Sequence, residues 1–154
     1  MDWKGGTFLR TLGLTAGSAM NLSGAAAKGL ADGAVVNNDG IITWQGGGPL
    51  RANANGGTSV INNRAGAQFH AAANGTVFDR IYSSYVPALN NEGGFHIGNS
   101  PGSCGMSGWN FRQTATGSLD IDVAGPALTE FDRLTLSGGA VTLGGSLNVT
   151  RLNG

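Results

Sequence analysis

Two histidines recur at nearly the interval of an internal repeat, and imidazole is a common ligand of zinc and copper. In a stacked repetitive fold, His70 and His96 would lie on adjacent coils and could offer two ligands to one metal ion. Such a site needs a third ligand, and the nearest acidic residues, Glu92 and Asp79, fall at no suggestive spacing. We therefore expect two stacked or exposed histidines, no metal site and no cofactor.

A pair of carboxylates could support acid–base chemistry on a polysaccharide. Asp120 and Asp122 flank Ile121, so both should project from the same face of a strand. A sugar-cleaving cleft also has aromatic and basic residues, and the segment 124–126 that follows has neither. We expect the two carboxylates to lie on a solvated outer face.

The single cysteine lies in an irregular segment rich in glycine. Cys104 would need a base close in space to act as a nucleophile, and His96 is the candidate. Nothing in the spacing brings the two together. One cysteine also permits neither an internal disulfide nor a cluster of cysteine ligands. We predict no catalytic residue and no enzymatic activity.

The composition favours a repetitive β-structure over a helical or nucleic-acid-binding domain. The 154 residues include 28 Gly, and only 12% are charged, whereas an average soluble domain has roughly 7% Gly and roughly 25% charged residues. The formal net charge is +0 and the basic residues are scattered, so no basic stripe is present to bind phosphates. No run approaches the roughly 20 apolar residues of a membrane-spanning helix.

A short unit recurs along the chain: an apolar residue, Asn-Asn, a turn that usually contains glycine, and a return to apolar residues. Its copies are residues 36–41, 61–67 and 89–95. The first asparagine of the pair recurs after 25 and then 28 residues. Asparagine suits corners, and amides stacked at the strand spacing can bond to one another. We predict a ladder of Asn37, Asn62 and Asn90.

Short strands separated by glycine-rich corners must position these side chains. Period-two alternation is clearest in residues 118–123 and 133–137, while residues 24–32 show no strand pattern and could form one short turn. The inward candidates are Val36, Ile41, Ile61, Phe69, Leu89, Phe95, Leu119, Ile121, Leu134, Leu136, Val141, Leu143, Leu147 and Val149.

Two segments depart from the repeat, near residues 74–87 and 98–109, and we expect both to be loop excursions. They carry several of the few aromatic residues of the chain, which favours a contact surface there. Its predicted residues are Phe78, Tyr82, Tyr85 and Trp109.

The Asn-Asn units and the stretches 111–123 and 131–149 resemble the passenger-type repeats of bacterial autotransporter-like and filamentous-adhesin-like surface proteins. The resemblance covers most of the chain from about residue 35 onward. It implies an all-β fold, a right-handed parallel β-helix (β-solenoid) of about six coils. Because residues 152–154 still follow the repeat, we also expect residues 1–154 to be a single solenoid segment of a longer protein.

The function that this resemblance implies is a structural or adhesive segment of a secreted or surface-exposed, outer-membrane-associated protein, which presents loops on an extended scaffold. The alternative is a polysaccharide-binding or polysaccharide-cleaving β-helix protein. A glycan groove would cluster its aromatic residues, whereas Trp3, Trp44 and Trp109 are widely separated, which favours the scaffold. The expected partners are neighbouring coils of the parent protein or a second copy stacked end to end, together with a host surface or glycan.

Overall fold

A computed structural model describes residues 1–53, 55–81, 84–98 and 101–152. Within these ranges the regular structure is entirely β-strand. A helix long and apolar enough to cross a membrane is accordingly not found among the described residues.

Three parallel sheets are each built from every third strand. The first sheet contains β1 (Asp2–Trp3), β4 (Ala19–Leu22), β7 (Ile41–Trp44), β10 (Gln68–Ala71), β13 (Gly94–Ile97), β16 (Ser118–Val123) and β19 (Ser146–Arg151). The second contains β2 (Gly6–Phe8), β5 (Lys28–Ala31), β8 (Leu50–Asn53), β11 (Thr76–Arg80), β14 (Ser103–Ser107) and β17 (Arg133–Ser137). The third contains β3 (Leu12–Leu14), β6 (Val35–Asn38), β9 (Val60–Asn63), β12 (Ala88–Asn91), β15 (Asn110–Gln113) and β18 (Val141–Thr142).

The chain visits the three sheets in turn and then returns to the first, so each set of three strands is one coil of a parallel β-solenoid. The predicted all-β solenoid is therefore confirmed. Its right-handed sense stays a prediction.

Apolar side chains stack along the axis because equivalent positions of successive coils pair in register. In the first sheet Phe69 pairs with Phe95, and their ring centroids are 5.4 Å apart. In the third sheet Leu89 pairs with both Ile61 and Phe111. All five side chains are buried. A coil cannot bury this face alone, so stacking of coils creates the core.

One expected core residue points the wrong way. Ile41 is the first residue of β7 and is 43% exposed, whereas Ile42 and Trp44 are buried. Because successive side chains of a strand face opposite sides, an error of one residue in the phase reverses every assignment.

Three strands of the second sheet, β5, β11 and β14, occupy segments that we expected to be irregular. Residues 24–32, expected to form a turn, contain β5. The loops that we expected near 74–87 and 98–109 contain β11 and β14, so that expectation is wrong over these strands. Gly29 and Gly105 lie inside two of these strands and break the apolar pattern from which a strand is predicted.

A different segment leaves the repeat, between β16 and β17. Val123 and Phe131 form an isolated antiparallel bridge, and the Asp132 amide donates to the Asp122 carbonyl oxygen at 2.9 Å. We call residues 123–132 the excursion. It folds back on the end of β16 and returns the chain to the second sheet.

Candidate functional site

The predicted asparagine ladder lies on the outer side of the third sheet. The Asn62 amide donates to Asn37 Oδ1 at 2.9 Å, and the Asn90 amide donates to Asn62 Oδ1 at 2.9 Å. The three residues lie within β6, β9 and β12, in register, and are partly buried. Stacked amides thus join strands rather than corners, where we expected them.

A second amide ladder, which we did not predict, runs inside the rod. Asn38 donates to Asn63 Oδ1 at 2.8 Å, and Asn63 donates to Asn91 Oδ1 at 2.7 Å. Asn91 points its amide at Gln113 Oε1 at 3.5 Å, the upper limit of a hydrogen bond. All four residues are buried. Period-two alternation continued from inward Val36 places Asn38, two residues later, inside as well.

The inner ladder also holds the corner between the third and first sheets. The amide of Asn63 donates to the Gly94 carbonyl oxygen at 2.9 Å, and that of Asn91 donates to the Ser118 carbonyl oxygen at 2.8 Å. These carbonyls begin the strands of the next coil. Amides do not titrate near neutral pH, so the ladders contribute stability and register rather than acid–base chemistry.

The two histidines stack on adjacent coils. His70 of β10 pairs in register with His96 of β13, and their ring centroids are 5.8 Å apart. Burial lowers the pKa of His70, a positive charge on His96 lowers it further, and the Asp120 carboxylate opposes both effects. Asp120, in register with His96, also accepts a hydrogen bond from the Asn148 amide at 2.7 Å.

The end of β16 and the excursion together bring two carboxylates close to His96. His96 Nε2 lies 3.8 Å from Asp122 Oδ2. One ligand atom each of His96, Asp122 and Asp132 lies within 4.8 Å of those of the other two. We call these three residues the His–Asp–Asp cluster. Asp122 is buried, so our expectation that it lies with Asp120 on a solvated face is wrong for Asp122, because the excursion covers the end of β16.

Asp132 is fixed by backbone donors from two coils. Its Oδ1 accepts from the Gly102 amide at 2.6 Å, and its Oδ2 accepts from the Asp122 amide at 2.8 Å. Burial raises the pKa of Asp132, whereas these two hydrogen bonds lower it. The negative charge of Asp122 also raises this pKa, and a positive charge on His96 lowers it. Its carboxylate is therefore oriented before any ligand arrives.

The predicted aromatic contact surface is wrong for two of its residues. Phe78 and Trp109 are fully buried and pack against each other with ring centroids 5.3 Å apart. Phe78 also packs edge-on against Trp44. Tyr85 is exposed, and Tyr82 lies outside the described residues. The aromatic residues of β11 and the β14–β15 corner belong to the core because these segments are part of the repeat.

Cys104 is also a core residue. It is buried in β14, and burial raises the pKa of its thiol to about 12. A nucleophilic cysteine needs a lowered pKa and access to substrate. Cys104 has neither.

An apolar cavity of about 400 Å³ opens at the end of the rod formed by the last coil. Its walls include Leu119, Leu134 and Leu136. Leu143 and Leu147 also line it, and each is at least 60% exposed. We call this surface the open end. Four expected core residues, Val141, Leu143, Leu147 and Val149, are exposed, because the described structure has no coil stacked above them.

No protein-family model, no curated protein and no solved structure matches this chain. The functional proposal therefore depends on the fold and on the geometry of these surfaces.

Proposed function

We propose that this chain is a structural scaffold segment of a secreted or surface-exposed bacterial protein, extended by axial stacking and presenting loops on its sides. Support comes from the direction of its interactions. The core and both amide ladders run from coil to coil along the axis, an arrangement that suits a stiff rod whose length follows from the number of coils.

The open end is the observation that carries this proposal. Leu143 and Leu147 present apolar side chains next to a cavity walled by leucines. Leu147 pairs in register with buried Leu119, so it occupies the position that the next coil would cover. Burying one leucine contributes about 1.5–3 kcal/mol. A further solenoid coil, from the parent protein or from a second copy, matches both this apolar surface and the free strand edge.

A polysaccharide-acting protein is the alternative, and the positions of the tryptophans count against it. Trp3, Trp44 and Trp109 are the three tryptophans of the chain, and all are buried. Sugar rings bind most readily on exposed aromatic faces, and these rings pack against phenylalanines instead.

Two measurements on this protein distinguish the alternatives. An assay for released reducing ends on a panel of bacterial and host polysaccharides should show no turnover. Antibodies against the purified chain should label intact cells of the organism that encodes it, and external protease should remove the label. Glycan turnover that is lost in Asp120→Asn, or labelling only after lysis, would contradict the scaffold proposal.

A further inference from the structure

The His–Asp–Asp cluster places three metal-ligating side chains where the excursion meets the first sheet. His96 comes from β13, Asp122 from the end of β16, and Asp132 from the end of the excursion. We propose that this cluster binds Zn²⁺ or a similar divalent transition-metal ion, which would tie the excursion to two adjacent coils of the rod.

The separations between the ligand atoms are comparable with those of a zinc site, although longer. Zinc lies about 2.0–2.2 Å from nitrogen and oxygen ligands, so tetrahedral ligand atoms are roughly 3.3–3.5 Å apart. His96 Nε2 and Asp122 Oδ2 are 3.8 Å apart, beyond hydrogen-bond distance. All three ligand atoms lie within 4.8 Å of one another. Rotation of the His96 and Asp122 side chains about their single bonds would bring their ligand atoms nearer to the Asp132 carboxylate, which its two backbone hydrogen bonds hold in place.

The ligand types select the class of ion. Ca²⁺ takes six to eight oxygen ligands, and Mg²⁺ prefers oxygens and keeps several waters. One imidazole with two carboxylates suits zinc and its neighbours in the first transition row. Three protein ligands leave a fourth position for water or for another ligand.

The environment of the carboxylates supplies a second, independent reason. Asp122 and Asp132 lie side by side and are both buried. Two buried negative charges repel each other, and a divalent cation bound between them would offset that repulsion. The backbone amides of Gly102 and Asp122 hold both oxygens of Asp132. Ligating carboxylates in metal sites are similarly oriented by hydrogen bonds.

The chain offers closely matched control variants. His70 is the register partner of His96 on the preceding coil, and Asp120 precedes Asp122 by two residues on the same strand. Neither belongs to the cluster. His96→Gln and Asp122→Asn remove ligands, whereas His70→Gln and Asp120→Asn remove the same chemical groups nearby.

The test uses the full chain after treatment with a chelator. Titration with Zn²⁺ in a calorimeter should give one ion per chain, and Co²⁺ should produce the visible absorption of a low-coordinate site. His96→Gln and Asp122→Asn should each weaken Zn²⁺ binding at least about tenfold. Replacing a residue that only hydrogen-bonds to a metal ligand already causes a loss of that size. His70→Gln and Asp120→Asn should bind as the wild type does, and Ca²⁺ should not compete.

Circular dichroism of each variant establishes that it is folded before its affinity is compared. His96 is partly exposed, so His96→Gln should fold even if a change at buried Asp122 does not. Absence of Zn²⁺ binding by the folded wild type would overturn the proposal. Binding that His96→Gln leaves unchanged, or that His70→Gln abolishes equally, would also overturn it.

Discussion

At the residue scale, the side-chain amide of Asn63 makes hydrogen bonds to three other residues in and beside the inner ladder. It accepts a hydrogen bond from Asn38 and donates to Asn91 and to the Gly94 carbonyl oxygen. A buried partner left without its hydrogen bond costs about 1–3 kcal/mol. We expect Asn63→Ala to lower the free energy of unfolding by about 3 kcal/mol or more, and Asn62→Ala in the partly buried outer ladder by about 1 kcal/mol.

Urea unfolding followed by circular dichroism measures both variants. Each variant is the control for the other, because Asn62 and Asn63 are neighbours on β9 and differ mainly in which side of the sheet they face. Equal and small losses would show that the buried amides contribute no more than the partly exposed ones.

Cys104 provides a prediction about reactivity. The pKa of its buried thiol is raised to about 12, so almost none of the thiolate is present at pH 8. Iodoacetamide at that pH should leave the native chain unmodified and should alkylate the chain in concentrated urea, as mass spectrometry can measure. Rapid alkylation of the native chain would place Cys104 at an accessible surface.

Sequence patterns identify residues well where the repeat is regular. The recurrence of Asn-Asn predicts Asn37, Asn62 and Asn90 as stacked amides, which hydrogen-bond as a ladder. The same pattern does not predict the inner ladder, because the residues that face the core of a solenoid are usually apolar. Only partners on neighbouring coils make such burial favourable, and those partners are distant in sequence.

At the scale of elements, the corner between the third and first sheets depends on a glycine at which coils approach closely. A methyl group at Gly93 would meet the backbone carbonyl oxygens of Arg64 and Ala67 on the preceding coil. Backbone atoms cannot move aside cheaply, so Gly93→Ala should destabilise the fold by about 2 kcal/mol or more. Exposed Gly47, which has no atom within 4 Å of an added methyl group, is the matched control.

Thermal and urea unfolding of the two glycine variants test this corner. Gly47→Ala should change the free energy of unfolding by no more than about 0.5 kcal/mol. If Gly93→Ala were equally mild, the coils would be less closely stacked at this corner than the structure shows.

The strands that are easiest to predict from the sequence are those in which apolar and polar residues alternate clearly. Strands of the first and third sheets follow the Asn-Asn units and the apolar residues beside them. Several strands of the second sheet are not predicted, and in two of them, β5 and β14, Gly29 and Gly105 break the alternation. The His–Asp–Asp cluster could not be predicted, because Asp132 reaches His96 only through the bridge between Val123 and Phe131.

At the scale of the whole molecule, the rod has apolar side chains at the open end that match those inside it. Leu147 lies above buried Leu119 and is 60% exposed. We therefore expect the chain to associate as its concentration rises. A charge at Leu147 should oppose association, because stacking would then bury an unpaired charge.

Sedimentation velocity over a concentration series tests most directly whether the open end is a surface for axial stacking. Leu128 of the excursion is 66% exposed and does not line the cavity at the open end, so Leu128→Lys controls for the loss of an exposed leucine. The wild type and Leu128→Lys should shift to larger species with concentration, and Leu147→Lys should remain monomeric. A wild-type monomer at every concentration, or association that Leu147→Lys leaves unchanged, would contradict an axially stacking scaffold.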